Sequence, residues 1–421
     1  MKINLNKFQI LYLSMYIFFN TYALFFILNM QKTFGDFFVS VTNDNLVLLA
    51  YIYTVLPFVF FALFLYPYFE IKLKDSLKIN SSFIENKLGV FVLILQISFM
   101  IFNLSTGVNS AGSAIKTDSV VKYLFILFSP DIFFFILYGF ARNNKYFKYN
   151  MLIYLISSLQ RGWMGGLFFI VIMELYIYYK RFGFSKKIVF LTSGMIVILV
   201  LLLPYIIMLK WAARAYFGGL SDDFNNELTL ILNLGNFGYI ESLNQSFSYL
   251  FGRFQVLSNV YLFLEHLDTL QIARANGDYI SAFAIGLPQM LLYKLFGIDY
   301  TVLTSYYITI VDTKIALDEL TSNTHVGYVG WILSEPHLFW LFLFYTIILV
   351  YLVAYFSNKI GGKYIHFVSW YFLISYLLHG WLQAYIGYLI GLLIFFIIKI
   401  IFTKIKFKKI KLNKGFLLEK N

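Results

Sequence analysis

The sequence predicts an all-α polytopic integral membrane protein of about ten transmembrane helices, with one long polar segment on a single side of the bilayer. Three observations predict it. Hydrophobic residues make up 60% of the 421 and charged residues only 13%, against about 25% charged in a soluble chain. Apolar runs of about the 20 residues needed to cross a bilayer as helix recur along the chain. Lys and Arg cluster beside alternate runs, the pattern that orients membrane spans. The net charge of +12 follows from that placement and does not mark a nucleic-acid surface.

The first run, 8–30, is too long for a signal-peptide core and has no small-residue cleavage pattern after it, so it reads as a retained span. Full-length runs follow at 45–69, 88–104, 120–141, 163–179, 188–209, 337–357 and 383–402. Two more, 149–160 and 364–378, are short for a straight crossing. With the N-terminus inside, most Lys and Arg fall in 1–7, 70–87, 142–148, 180–187, 358–363 and the C-terminal tail. The short outer connections keep only Lys32, Lys116, Lys122 and Arg161. The chain therefore divides into a first bundle 1–209, an outer loop 210–336, a second group of spans 337–402 and a basic inner tail 403–421.

The outer loop carries its own structure. Asp222 and Asp223 suit the cap of a helix beginning near Asn225. Phe247, Leu250, Phe251, Phe254, Leu257, Tyr261 and Leu264 recur at helical spacing, predicting one amphipathic helix with Arg253 and Asn259 on its polar side. Ala275-Asn276-Gly277-Asp278 reads as a turn. The apolar stretch 282–296 contains Pro288 and is too short to span, which suits an interfacial or re-entrant helix.

Several chemistries are excluded or disfavoured. The chain has no Cys, which removes disulfides, thiolate metal sites and a Cys nucleophile. Its five His show no metal-ligand spacing, so neither metal nor cofactor is expected. An Asp-x-Asp nucleotide motif, a phosphate-cradling Gly-rich loop and a nucleophile elbow are all missing. Polyanion chemistry without a metal needs several cations, and Arg binds phosphate bidentately. The outer Arg161, Arg214, Arg253 and Arg274 meet that need.

Each candidate has a plain and a functional reading. Arg161, in Ser157-Ser158-Leu159-Gln160-Arg161-Gly162-Trp163, is either a snorkelling cation beside an interfacial Trp or an anion site behind a short span. His379-Gly380-Trp381 forms the equivalent tip after the second short run, as a Trp belt or as a lining of the same cavity. Lys210 and Arg214 open the loop and suit phosphate as well as the interface. Arg253 and Arg274 are either solvated charges or ligand contacts. His325 follows Ser322-Asn323-Thr324 and can serve as base or as phosphate-binding cation. His337 reads as interfacial and His366 as lying at the cytoplasmic end. Asp278, Asp312, Asp318, Glu319 and Glu335 are possible bases that spacing does not separate.

With these residues, ten runs and one large outer loop late in the chain, the sequence resembles the bacterial O-antigen or capsule repeat-unit polymerases of the Wzy type. These belong with the O-antigen ligases to a wider group of GT-C-like architecture. Ser158 to Gly166 (SLQRGWMGG) resembles the family's Ser/Arg-Gly segment at an outer helix tip. Asn323 to Gly330 (NTHVGYVG) resembles the His segment that ends the loop in ligase-like members, although here the Asn precedes the His by two positions. The resemblance implies metal-independent glycosyl transfer at the periplasmic face of the inner membrane, with both termini cytoplasmic. The donor is a glycan on undecaprenyl pyrophosphate, the acceptor the next lipid-linked repeat, and a partner protein limits chain length. It puts Arg161 at the pyrophosphate and His325 at the acceptor; charge and placement add Arg214, Arg253, Arg274, Lys210 and His379 as further binding residues. Ligation to lipid A core, or flipping of the lipid-linked glycan, are the competing readings.

Overall fold

The computed structural model describes residues 5–73, 82–108, 119–163, 165–217, 238–286, 295–312 and 324–418, with 229, 289, 292 and 293 between them. Lys116, Asp222, Asp223, Asn225, Pro288, Asp318 and Glu319 lie outside the described residues.

All ten apolar runs are helical. They form α1 (Lys7–Met30), α2 (Asp44–Lys72), α3 (Ser82–Thr106), α4 (Val121–Leu127) with α5 (Pro130–Ala141), α6 (Phe147–Gln160), α7 (Gly165–Phe182) and α8 (Lys186–Phe217). Beyond the loop come α14 (Phe339–Ile360), α15 (Ile365–Leu378) and α16 (Leu382–Leu418). Among the described residues seven helical segments are long and apolar enough to cross a membrane, while α6, α7 and α15 are shorter or more polar. The chain is therefore a multi-pass helical membrane protein. Large apolar side chains on its flanks, such as Phe18 at 60% and Trp340 at 77% exposure, face outward and require a lipid surround.

Local chemistry sets the ends and breaks. The Asn6 side chain accepts the Gln9 N–H at 3.0 Å and the Gln9 side chain accepts the Asn6 N–H at 3.2 Å, a capping box that starts α1. Pro57 cannot donate to its preceding turn, and α2 widens into a π-helical stretch over Phe58–Leu65 immediately after it. The run 120–141 splits at Phe128 and Ser129, because Pro130 disfavours helix in the residue before it. α5 is buried along its length from Phe133 to Ala141 and forms the centre of the bundle.

The loop departs from expectation in two places. α8 does not stop at 209 but runs on through Lys210-Trp211-Ala212-Ala213-Arg214 to Phe217, since nothing there breaks a helix. Lys210 and Arg214 thus ride on the last turns of a candidate span. The expected amphipathic helix 247–264 is two helices, α9 (Tyr239–Phe254) and α10 (Leu257–Glu265), separated by an extended Gln255. The cause lies far off in sequence. Asn20 of α1 accepts the Val256 and Leu257 N–H groups at 2.8 and 3.1 Å and so takes the place of the preceding turn. α10 is buried from Leu257 to Leu264 between α2 and α13 (Gly327–Leu333), not laid on a surface. α11 (Leu267–Asn276) ends on Gly277 in the left-handed region, as the expected turn requires. α12 (Leu303–Val311) lies between α11 and α13, and 282–284 is one 3-10 turn.

The connection 31–43 clasps the break between α9 and α10. Phe34 O accepts from Gln255 Nε2 at 2.9 Å, and Thr42 N–H donates to the Tyr261 hydroxyl at 3.1 Å. Gly35 passes so close to Gly252 that a Cβ on Gly252 would stand 2.6 Å from the Gly35 Cα. This clasp delivers Asp36 to the interior.

Candidate functional site

Four segments distant in sequence meet at this end of the bundle: 31–43, the α9–α10 junction, 324–327 and 379–381. Their closest joint is Gly380 against Gly327. A Cβ on Gly380 would stand 2.4 Å from Gly327 N, and both residues have positive φ, +98° and +68°. Trp331 Nε1 donates to Gly380 O at 2.7 Å and closes the joint. The backbone thus sets His379 against His325, with ring centroids 4.2 Å apart. Trp381 lies 6.1 Å from the His325 ring.

Asp36 is the hub. One carboxylate oxygen pairs with Arg253 Nη1 at 3.2 Å. The other accepts from Thr324 Oγ1 at 2.6 Å and Asn259 Nδ2 at 3.4 Å, and lies 3.9 Å from His325 Nε2. Asn259 also donates to His325 O at 3.0 Å, which ties α10 to the histidine segment. Burial works to raise the Asp36 carboxyl. His325, Arg253 and the hydrogen bonds from Thr324 and Asn259 outweigh it and hold the group below its ordinary value. His379 Nδ1 is buried without a hydrogen-bond partner.

The two imidazoles are held neutral. Burial pushes His325 down from 6.5 to about 4, with Asp36 working against the shift and Arg253 adding to it. Burial, then His325 and Arg253, push His379 well below its ordinary value. The unfolded chain protonates each ring below pH 6.5, whereas folded His325 does so only near pH 4. Its contribution to stability is full above pH 6.5 and is lost as pH falls toward 4. The melting temperature in detergent is accordingly expected to drop between pH 7.5 and pH 5, and to drop less in His325→Gln.

A second group, all cationic, adjoins the hub. Lys210 donates to the Tyr249 hydroxyl and stands 4.6 Å above the Tyr249 ring, and Arg253 lies 5.2 Å from the same ring. Arg214 Nε donates to Gly162 O at 3.2 Å. Burial works to raise the Tyr249 phenol, yet Arg253 and Lys210 bring it below its ordinary value, the mark of a strongly positive locale. Lys210 is 6% exposed, and neither it nor Arg214 has a carboxylate partner among the described residues. Burying a cation without an anion is costly. A negatively charged group beside these cations would offset that cost.

Two predicted site residues stand apart. Arg161 is 2% exposed and grips Asp131 bidentately, at 2.8 Å for both bonds, between the Phe99 and Trp163 rings. Its Nε donates to Ser157 O at 3.1 Å. Its guanidinium is thus committed to the protein, and its link to the cations is through Gly162, whose carbonyl receives Arg214. Arg274 Nε pairs with Glu335 at 3.1 Å, and Glu335 also accepts from Ser281 at 2.5 Å, a latch holding α11 to the foot of α14. The two X-Gly-Trp tips consequently serve different clusters. His337 is exposed, and Asp278 accepts from the Tyr306 hydroxyl at 3.2 Å.

Asp36 escaped sequence reasoning. Its signal was a lone acid in an apolar setting, Thr33-Phe34-Gly35-Asp36-Phe37-Phe38, in a connection weighed only for its cations. Among the described residues no group of three or more His, Asp or Glu is arranged to hold a metal ion.

No protein-family model, curated protein or solved structure matches the chain. The class is set by the fold: a multi-pass helical membrane protein with a buried carboxylate–imidazole cluster beside Lys210, Arg214 and Arg253 at one end of its bundle.

Proposed function

We propose that the protein is a metal-independent glycosyltransferase that polymerises oligosaccharide repeat units carried on undecaprenyl pyrophosphate. The observation that carries this reading is the buried Lys210, with no carboxylate partner among the described residues, beside Arg214 and Arg253 and adjoining Asp36, His325 and His379. Lys210 and Arg214 on a spanning helix end suit a pyrophosphate whose lipid tail stays in the bilayer. In this reading both termini are cytoplasmic and the site faces the periplasm of the bacterial inner membrane.

The reaction follows from charge. A hydroxyl of the acceptor repeat attacks the anomeric carbon of the donor glycan. The new C–O bond forms as the bond from that carbon to the pyrophosphate oxygen breaks, and the lipid pyrophosphate departs with the electron pair. Lys210, Arg214 and Arg253 stabilise that growing negative charge, where preorganised cations are most effective. His325, neutral and fixed by Asn259, orients the acceptor hydroxyl. Arg161 acts through Gly162 as a positioning residue, and Arg274 through Glu335 holds the loop. Purified protein in nanodiscs, given a lipid-linked repeat unit and no added metal, is expected to yield a ladder of longer lipid-linked glycans on a gel. Persistent single repeats would overturn the reading.

A further inference from the structure

We infer that Asp36 is an internal stand-in for the donor's pyrophosphate: it holds Arg253 until donor arrives, and the incoming anion takes Arg253 over and frees the carboxylate to receive the acceptor hydroxyl's proton. The inference rests on the proposed transfer reaction and concerns how its two substrates are coupled.

The geometry supports an exchangeable pair. The closest approach of Arg253 to Asp36 is Nη1 to Oδ1 at 3.2 Å, a longer contact than the 2.8 Å bonds of Arg161, and a two-pronged anion matches the guanidinium better. Its side chain is 47% exposed while Asp36 is 16% exposed, so the arginine is the member an arriving ligand can reach. A phosphate offers more negative charge and bidentate geometry, both stronger than a 3.2 Å carboxylate contact. Lys210 and Arg214 share the electrostatic neighbourhood of Arg253 and hold such an anion beside it. Contrast Arg161 and Asp131, whose two bonds of 2.8 Å leave no edge free.

Asp36 is well placed once released. Its second oxygen is fixed by Thr324 and Asn259 and faces His325, so loss of Arg253 leaves the carboxylate in position. It also leaves a buried carboxylate without its guanidinium, a stronger base than before. The proton then passes from the acceptor hydroxyl to Asp36 as the oxygen bonds the anomeric carbon. After the lipid pyrophosphate leaves, Arg253 returns to the carboxylate and the proton is shed to water. Donor arrival would thus switch on acceptor activation and suppress reaction in its absence.

The test is Asp36→Asn in nanodiscs, with undecaprenyl pyrophosphate as binding probe and lipid-linked repeats for turnover. The amide keeps the size of the side chain and an acceptor for Thr324 but removes the competing charge. Binding is expected to tighten about fivefold or more, while elongation falls at least about a hundredfold. Asp36→Ala supplies a second arm: formate is expected to restore part of its elongation, which a purely structural role would not allow. Unchanged or weaker binding by folded Asp36→Asn, wild-type elongation in it, or failure of formate rescue overturns the inference while wild-type elongation keeps the proposed function standing. A wild-type protein that neither binds the probe nor elongates removes the function and the inference together.

Discussion

Lys210→Met is expected to lower elongation by roughly a hundredfold or more while leaving the melting temperature at or above that of the wild type. The two halves of that outcome have one cause. The Lys210 ammonium is buried with a Tyr249 hydroxyl and aromatic faces for company and no carboxylate among the described residues. Removing it relieves a desolvation penalty that the folded protein does not recover by itself. Met keeps the length and the apolar contacts of the stem. What is lost is a positive charge aimed at the leaving group, which matters in the transition state more than in the ground state. Thermal unfolding in detergent and ladder formation in nanodiscs separate the two effects. A variant that elongates normally would remove Lys210 from the anion site. One that melts several degrees lower would show that the charge stabilises the fold.

How much of this was legible beforehand depends on the range of the interaction. The apolar runs were legible because a bilayer imposes one length and one polarity on every crossing, and each of the ten runs is helical, one of them as two helices. Gly277 was legible because its effect acts on neighbours, whereas the split before Pro130 lay inside a run read as one span. The break at Gln255 was not legible, since the acceptor responsible is Asn20, in another helix. His325 and His379 each stood out as a polar residue at a Gly-punctuated tip. Their meeting depends on Gly380 passing over Gly327, which no periodicity encodes. Arg161 shows the same limit from the other side. Its cost in an apolar setting was visible, but its partner Asp131 lay in a run that reads as uninterrupted span.

That pair yields the sharpest separation between stability and chemistry. Arg161→Ala is expected to destabilise the protein by about 3–5 kcal/mol, the cost of stranding one member of a buried pair. The Arg161 side chain is 3% exposed and Asp131 22%, so solvent cannot take over from the lost guanidinium. The Phe99 and Trp163 rings, 5.0 and 5.5 Å from the guanidinium carbon, lose their cation as well. Loss of polysaccharide in cells carrying Arg161→Ala would therefore say little about catalysis. The informative variant removes both charges together. Asp131→Leu with Arg161→Met replaces the pair by apolar groups and is expected to recover most of the melting temperature, because a buried ion pair is often no more stabilising than well-packed hydrophobic residues. If that folded double variant elongates glycan, Arg161 acts only by supporting Gly162 and, through it, Arg214. If it is folded and inert although Arg214 and Lys210 are intact, Arg161 must exchange Asp131 for the substrate's pyrophosphate during turnover. The bidentate closure of the pair, with both oxygens of Asp131 engaged, makes the first outcome the expected one.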